Sequence, residues 1–153
     1  MLKLLNHKNC IVLYSALIFL LSSYFIFLNF NNESGYWFDE WCTLLSADPN
    51  VDLKTIFERH EGNFEKPYEN VPILYYLVLR IFFNIFGYTS ENGRIFSLIF
   101  LILSSFTFFF LLRLFINKRE SLFATSVFFS TPLIVWMSNE TRVDMFVVFF
   151  VLL

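Results

Sequence analysis

Two short clusters of charged residues are the parts of this sequence that could do chemistry. The first is Asp39-Glu40, which lies between Trp37 and Trp41, and the second is the run from Ser138 to Asp144. A carboxylate can accept the proton of an attacking hydroxyl, which is otherwise a poor nucleophile at neutral pH. An arginine can stabilise a departing phosphate through charge-assisted hydrogen bonds. The two clusters therefore predict group transfer from a membrane-anchored phosphate ester.

The residue types suggest a role for each side chain. We assign Asp39 as the general base and Asp144 as a second catalytic residue. The candidates for substrate binding are Glu40, Glu140, Arg142 and Arg80. Glu40 could position Asp39, hold a metal or bind substrate; a divalent metal is compatible with these acids, although the sequence requires no cofactor. Simpler interpretations stay open: solvated loop acids, a local Arg142-Asp144 ion pair worth little if exposed, and an interfacial anchor at Arg80.

The composition places these clusters in an integral membrane protein. Hydrophobic residues make up 57% of the 153 positions, and 23 positions are phenylalanine. This is more apolar surface than one small soluble core can bury. No basic tract suggests nucleic acid as a partner. Cys10 and Cys42 lie at opposite ends of the first apolar run, too far apart for a disulfide.

Three apolar runs are predicted to cross the membrane as helices. They are residues 11–30, 95–116 and 121–137, and a fourth apolar helix starts at 143. The competing interpretation of the first run, a signal peptide, requires a shorter apolar segment and a cleavage site of small residues. The fourth run stops well short of the roughly 20 residues that cross a bilayer. We therefore expect an all-α polytopic membrane protein and the N-terminal portion of a longer chain.

The segment between the first two spans, residues 31–94, is predicted to lie outside the cell. From Asn31 to Asn70, nine acids stand against three bases, whereas Arg113 lies near the end of the second span and Lys118 and Arg119 follow it. The positive-inside rule puts such a basic cluster in the cytoplasm and leaves the acidic loop outside. We therefore expect a cytoplasmic N-terminus and a multi-pass protein of the bacterial inner membrane.

The outer loop is predicted to carry helices that lie in the membrane interface. Tyr36, Trp37 and Trp41 at its start are typical of an interfacial aromatic belt. Residues 71–86 form an apolar run that holds Tyr76, Arg80 and Asn84 at intervals of four. That spacing aligns the three side chains on one helical face, towards water or a partner surface. A span here would instead bury the charge of Arg80 near the bilayer centre, which is costly.

Several blocks together resemble the N-terminal part of GT-C glycosyltransferases, and in particular the dolichyl-phosphate-mannose protein mannosyltransferase-like branch. The blocks are Phe38-Asp39-Glu40-Trp41, Val71-Pro72-Ile73-Leu74-Tyr75-Tyr76, Phe86-Gly87, Ser90-Glu91, Arg94-Ile95-Phe96-Ser97 and Ser138-Asn139-Glu140-Thr141-Arg142-Val143-Asp144. The series covers the chain from about Tyr36 to its end. It departs from the family at Val71-Pro72-Ile73, where relatives often have a His-Pro-Pro-like block.

The resemblance implies a membrane enzyme that takes a sugar from a polyprenyl-phosphate carrier to an unidentified acceptor at the outer membrane face. It implies that the first outer loop carries the catalytic acid, here Asp39, with Glu40 beside it. It also implies an acidic position at the start of the fourth span, here Asp144 after Arg142. The expected partners are the lipid-linked sugar donor and membrane lipid. Two alternatives stay open: a non-catalytic or accessory polytopic membrane protein, and a transporter component.

Overall fold

The computed structural model describes residues 7–30, 38–60 and 71–153, and in these ranges it contains α-helices and no β-strand. The helices are α1 (His7–Phe30), α2 (Phe38–Ser46), α3 (Leu53–His60), α4 (Ile73–Phe86), α5 (Ser90–Leu112), α6 (Lys118–Phe129), α7 (Pro132–Ser138) and α8 (Asp144–Leu152). The prediction of an all-α membrane protein is confirmed. Tyr36 and Trp37, two of the three aromatic-belt residues, lie outside the described residues.

Two helices of the described chain are long and apolar enough to cross a membrane by themselves. They contain the segments Asn9–Leu28 and Ser90–Leu112, which correspond to the predicted spans 11–30 and 95–116. The second helix begins five residues earlier than predicted. It does so because the Thr89 side chain caps it, accepting a hydrogen bond from the backbone N–H of Asn92. Because of this cap, Arg94 lies inside the helix rather than before it.

The predicted third span, residues 121–137, is broken into two helices. α6 and α7 meet at an angle of 67° across Ser130 and Thr131. Pro132 occupies the first turn of α7, where its missing N–H costs no helical hydrogen bond, and Thr131 before it is extended. Taken together, α6 and α7 are long and apolar enough to cross a membrane as one broken span. The predicted third span is therefore compatible with the structure as a span that is bent at Ser130 and Thr131.

α4 is a short helix of 14 residues, as predicted for an interfacial rather than a spanning segment. One face buries Tyr75, Tyr76, Leu79 and Phe83, and this face packs with Phe96 of α5 and Phe146 of α8. The prediction that Tyr76 faces water or a partner surface is wrong, because the ring is 2% exposed within the core. The opposite face is apolar and exposed, which suits contact with lipid.

α5 is the central helix of the bundle. It packs against α4, α6 and α8, while α1 lies along α6. A second core cluster joins Leu101 of α5 to Phe129, Ile134 and Met145 of the following helices. Because α5 and α8 are close neighbours, the short segment between α7 and α8 lies over the N-terminal part of α5. This arrangement brings residues 139–144 next to α2.

Candidate active site

Glu40 of α2 is the residue through which the two acidic clusters meet. Its side chain is fully buried, and its two oxygens accept hydrogen bonds from Arg94 Nε at 3.0 Å and Arg94 Nη2 at 3.1 Å. Thr141 donates to the same carboxylate from its backbone N–H and its hydroxyl, each at 3.1 Å. We call Glu40, Arg94 and Thr141 the clasp. It fastens α2 to both α5 and the 139–143 segment.

The 139–143 segment lies unusually close to α5, and two residues of that helix explain how. Gly93 faces Thr141 so closely that a Cβ atom added at Gly93 would lie 2.4 Å from the threonine hydroxyl oxygen. One turn later, the Ser97 hydroxyl donates to the backbone carbonyl of Glu140 at 2.7 Å. Glycine at 93 thus provides the space, and Ser97 adds a second hydrogen bond to the Glu140 carbonyl, which also accepts one from the backbone N–H of Arg142 at 2.9 Å.

Arg142 lies at the centre of the second set of contacts. Its guanidinium nitrogens are 3.0 Å from Asp144, 3.5 Å from Glu140 and 3.7 Å from Asp39. The guanidinium carbon also lies 5.4 Å from the ring centroid of Trp136, within reach of a cation–π interaction. We call Asp39, Glu140, Asp144 and Arg142 the carboxylate cluster. It brings a residue of the first outer loop to those that open the fourth apolar helix.

Exposure distinguishes the acids of the cluster from one another. The Asp39 side chain is 66% exposed, whereas those of Asp144 and Glu140 are 25% and 7% exposed. Asp39 is therefore the carboxylate that an incoming molecule can reach most readily. Because Arg142 lies beside it, a base and a cation are presented together at one surface.

The site has more acids than bases. The clasp and the carboxylate cluster together hold Asp39, Glu40, Glu140 and Asp144 against Arg94 and Arg142. Desolvation raises the pKa of the Glu140 carboxyl, and the negative charge of Glu40 raises it further, while the two arginines oppose the shift. Protonation of Glu140 would relieve part of the excess negative charge.

The structure brings together four of the predicted site residues, Asp39, Glu140, Arg142 and Asp144, as the sequence predicted. Glu40 lies beneath them, with both oxygens engaged by the protein. Of the three roles considered for Glu40, these contacts favour the positioning of Asp39. Its predicted role in substrate binding stays a prediction.

Arg80 belongs to α4, and its side chain reaches the turn between α2 and α3 rather than the carboxylate cluster. Its guanidinium donates to the backbone carbonyls of Asp48 at 2.9 Å, Pro49 at 3.0 Å and Val51 at 2.6 Å. These contacts tie α4 to the turn. A substrate-binding role for Arg80 stays a prediction.

Sequence reasoning missed the partners of Glu40. Arg94 and Thr141 occur in the blocks that resemble the GT-C family but are not among the candidate site residues, and Gly93 has no predicted role. One signal was present: Arg94 falls at the start of a long apolar run, where a charged group needs a partner of opposite charge. The sequence does not say which of the many outer-loop acids supplies it, because 54 residues separate Arg94 from Glu40.

The acids of the carboxylate cluster surround the guanidinium of Arg142. Within residues 7–30, 38–60 and 71–153, no group of three or more His, Cys, Asp or Glu side chains is placed to hold a metal ion. Cys10 and Cys42, both in described segments, do not form a disulfide with each other. The divalent metal ion stays a prediction.

Comparison with known proteins gives one family. A family model described as dolichyl-phosphate-mannose-protein mannosyltransferase matches residues 70–153, which is more than half of the chain. No curated protein and no solved structure matches. The matched range contains Arg94, Glu140, Thr141, Arg142 and Asp144 and begins after Asp39 and Glu40. The clasp and the Asp39–Arg142 contact therefore connect the first acidic pair to the matched region.

Proposed function

The chain belongs to the dolichyl-phosphate-mannose-protein mannosyltransferase family, and we propose that it transfers a sugar from a polyprenyl-phosphate carrier to an acceptor at the outer face of the membrane. Family membership makes it a membrane glycosyltransferase of the GT-C kind. The carrier, the membrane face and the roles of individual residues are our proposal. On this proposal the N-terminus lies in the cytoplasm of a bacterial cell and the carboxylate cluster faces outward.

The observation that supports the proposal most strongly is the exposed Asp39 carboxylate beside the Arg142 guanidinium, 3.7 Å apart. Transfer from a sugar phosphate needs a base on one side of the anomeric carbon and stabilisation of the leaving phosphate on the other. The cluster offers both kinds of group at a single surface. The apolar helices around it would hold a lipid-linked donor at the height of the interface.

The reaction can be written with this chain's own residues. Asp39 accepts the proton of the acceptor hydroxyl as its oxygen forms a bond to the anomeric carbon. The bond between that carbon and the phosphate oxygen breaks, and its electron pair leaves with polyprenyl phosphate. Arg142 has five N–H donors in a planar fork that suits phosphate, so it is our candidate for stabilising the charge that develops on the leaving group.

The acids around Arg142 affect how a phosphate would approach. Asp144 orients the guanidinium through its contact at 3.0 Å, but it also repels an anion. Because burial raises the pKa of Glu140, a proton on this carboxyl would reduce the repulsion when the donor binds. On this proposal Asp144 positions the guanidinium of Arg142. Glu140 lowers the negative charge of the site when its carboxyl is protonated.

The donor class can be tested with the purified protein in proteoliposomes. We expect sugar transfer, with release of polyprenyl phosphate, from polyprenyl-phosphate mannose and not from a nucleotide sugar. Arg142→Gln should abolish transfer, whereas Arg113→Gln, which changes an arginine at the other end of α5, serves as the matched control. Transfer from a nucleotide sugar in the absence of lipid carrier, or equal activity of the two variants, would contradict the proposal.

A further inference from the structure

A groove lies beside the clasp. It lies between α2 and the start of α5 and has a volume of about 370 Å³. Trp41 and Leu44 of α2 form one side, and Tyr88, Thr89 and Glu91 form the other. Its volume falls within the range of about 300–1,000 Å³ that is typical of small-molecule sites.

Two aromatic rings give the groove flat apolar faces. Trp41 is 46% exposed and Tyr88 is 37% exposed, so both rings are available to a ligand. The position of Tyr88 is fixed, because its hydroxyl donates to the Leu44 carbonyl at 3.0 Å and its ring packs edge-on against Phe83. A ring held in this way offers contact area at little cost in conformational entropy.

The polar side of the groove supplies hydrogen-bond acceptors and a negative charge. The Glu91 carboxylate lies exposed in the first turn of α5. An ionised carboxylate accepts strong hydrogen bonds from hydroxyl groups. A ligand with several hydroxyls on one edge and C–H groups on one face would satisfy both sides of the groove.

The groove is connected to Asp39 by the free face of α2. Consecutive side chains of a helix point about 100° apart, so Asp39 and Trp41 lie on either side of the buried Glu40. Phe38 is exposed between them on the free face, and its ring lies 6.4 Å from that of Trp41. A molecule seated on Trp41 can therefore extend across Phe38 to the Asp39 carboxylate.

We propose that the groove between Trp41 and Tyr88 is a binding subsite for a pyranose ring, with Glu91 accepting hydrogen bonds from the sugar hydroxyls. The ring belongs either to the lipid-linked donor or to a saccharide acceptor. That this sugar is a substrate rests on the proposed function; that the groove binds a pyranose does not. A rival role for Trp41 is an interfacial anchor against lipid headgroups.

Binding can be measured without any transfer reaction. The probe is methyl α-D-mannopyranoside, and the protein is studied in nanodiscs by saturation-transfer difference NMR. We expect transfer of saturation to the C–H protons of the ring, and at least a tenfold weaker affinity in Trp41→Leu. Phe86→Leu, which changes an exposed aromatic residue on the apolar face of α4, should bind as the unaltered protein does.

A second variant keeps the test valid if Trp41→Leu does not fold. Glu91→Gln leaves both rings in place and removes the charge, and we expect the affinity to fall several-fold. The absence of any signal from the unaltered protein, or equal binding by both variants and the control, would overturn the inference.

A competition experiment distinguishes the two sources of the sugar. Displacement of the probe by polyprenyl-phosphate mannose, but not by polyprenyl phosphate, identifies the donor sugar as the occupant; persistence of the probe identifies a saccharide acceptor. Failure of the proposed function would appear separately, as intact binding without transfer.

Discussion

At the scale of single residues, Glu40 shows how a buried charge can organise a site at the protein surface. Its carboxylate is held by two nitrogens of Arg94 and by two donors of Thr141. Such an ion pair gains little net stability, because both charges lose their hydration, but removal of one partner leaves the other buried and unpaired. We therefore expect the loss of one partner of the clasp to cost much more stability than the replacement of both partners.

Removal of the Glu40 carboxylate should be strongly destabilising. We expect Glu40→Ala to lower the free energy of unfolding by about 3–5 kcal/mol, the usual cost of breaking a buried pair. Glu58→Ala, which breaks the exposed Lys54–Glu58 pair, should cost about 0–1 kcal/mol. Denaturant titration in detergent micelles measures both. In Glu40→Ala with Arg94→Met the loss should be smaller than the sum of the single losses, and simple additivity would argue against the clasp.

Glu140 should make stability depend on pH. Burial raises the pKa of its carboxyl above the ordinary value of 4.5, so the folded protein holds this proton more tightly than the unfolded chain does. As pH rises from 4.5 through the raised pKa, the free energy of unfolding should fall.

The effect of Glu140 can be isolated by substitution. In Glu140→Gln this part of the pH dependence should disappear, as measured by thermal unfolding in detergent at a series of pH values. Glu120→Gln, which changes an exposed acid at the start of α6, is the control. A slope that persists unchanged in Glu140→Gln would show that Glu140 is not its source.

At the scale of the helices, the close approach of the 139–143 segment to α5 is the feature that assembles the site. Thr89 starts α5 early enough to place Gly93 and Arg94 within its first two turns. Gly93 then admits Thr141, and Arg94 reaches Glu40. The start of this helix therefore determines where the outer loop is attached.

Gly93→Ala should separate the two segments. The added methyl group would clash with Thr141, and overpacking of this kind typically costs about 1–3 kcal/mol. In a Thr141→Ala background, which removes the two nearest atoms, the same glycine substitution should cost much less. Chemical denaturation of the four proteins of this cycle measures the coupling. An equal cost of Gly93→Ala in both backgrounds would mean that Thr141 is not the neighbour that matters.

The helices also show what the sequence could and could not predict. Apolar length was enough to identify α1 and α5, and the shorter apolar run of residues 71–86 predicted the short helix α4, whose place in the membrane interface stays a prediction. The periodicity did not predict that Tyr76 lies in the core, because a tyrosine suits an interface and a core equally well. The position of Pro132 in the sequence does not predict the 67° break, since proline is tolerated both in a bent span and at the start of a new helix.

At the scale of the whole molecule, the order of apolar and charged segments predicted that the two acidic clusters meet. Asp39 and Asp144 are far apart in the chain, yet both contact Arg142. The pairing of Glu40 with Arg94 could not be predicted, because it depends on a side-chain contact between elements that topology only brings near each other. The sequence thus indicates the surface, and the packing decides which acid is exposed and which is buried.

The proposed orientation can be tested by labelling single cysteines in whole cells. In a background of Cys10→Ser and Cys42→Ala, we expect a membrane-impermeant maleimide to label Asp52→Cys in the outer loop of intact cells. Lys118→Cys, at the start of α6, should be labelled only after the membrane is permeabilised, because the basic cluster is predicted to lie in the cytoplasm. The reverse pattern would place the carboxylate cluster on the cytoplasmic side.

The central claim is that Asp39 removes the proton of the acceptor in a sugar transfer at this surface. Single-turnover transfer from polyprenyl-phosphate mannose tests it in the unaltered protein, in Asp39→Asn and in Asp52→Asn, an exposed outer-loop control. We predict that Asp39→Asn slows the chemical step by about 10²–10⁴-fold, the usual contribution of a general base. Donor affinity, measured separately, should be retained, and Asp52→Asn should be as active as the unaltered protein. Unchanged turnover in Asp39→Asn would contradict the account.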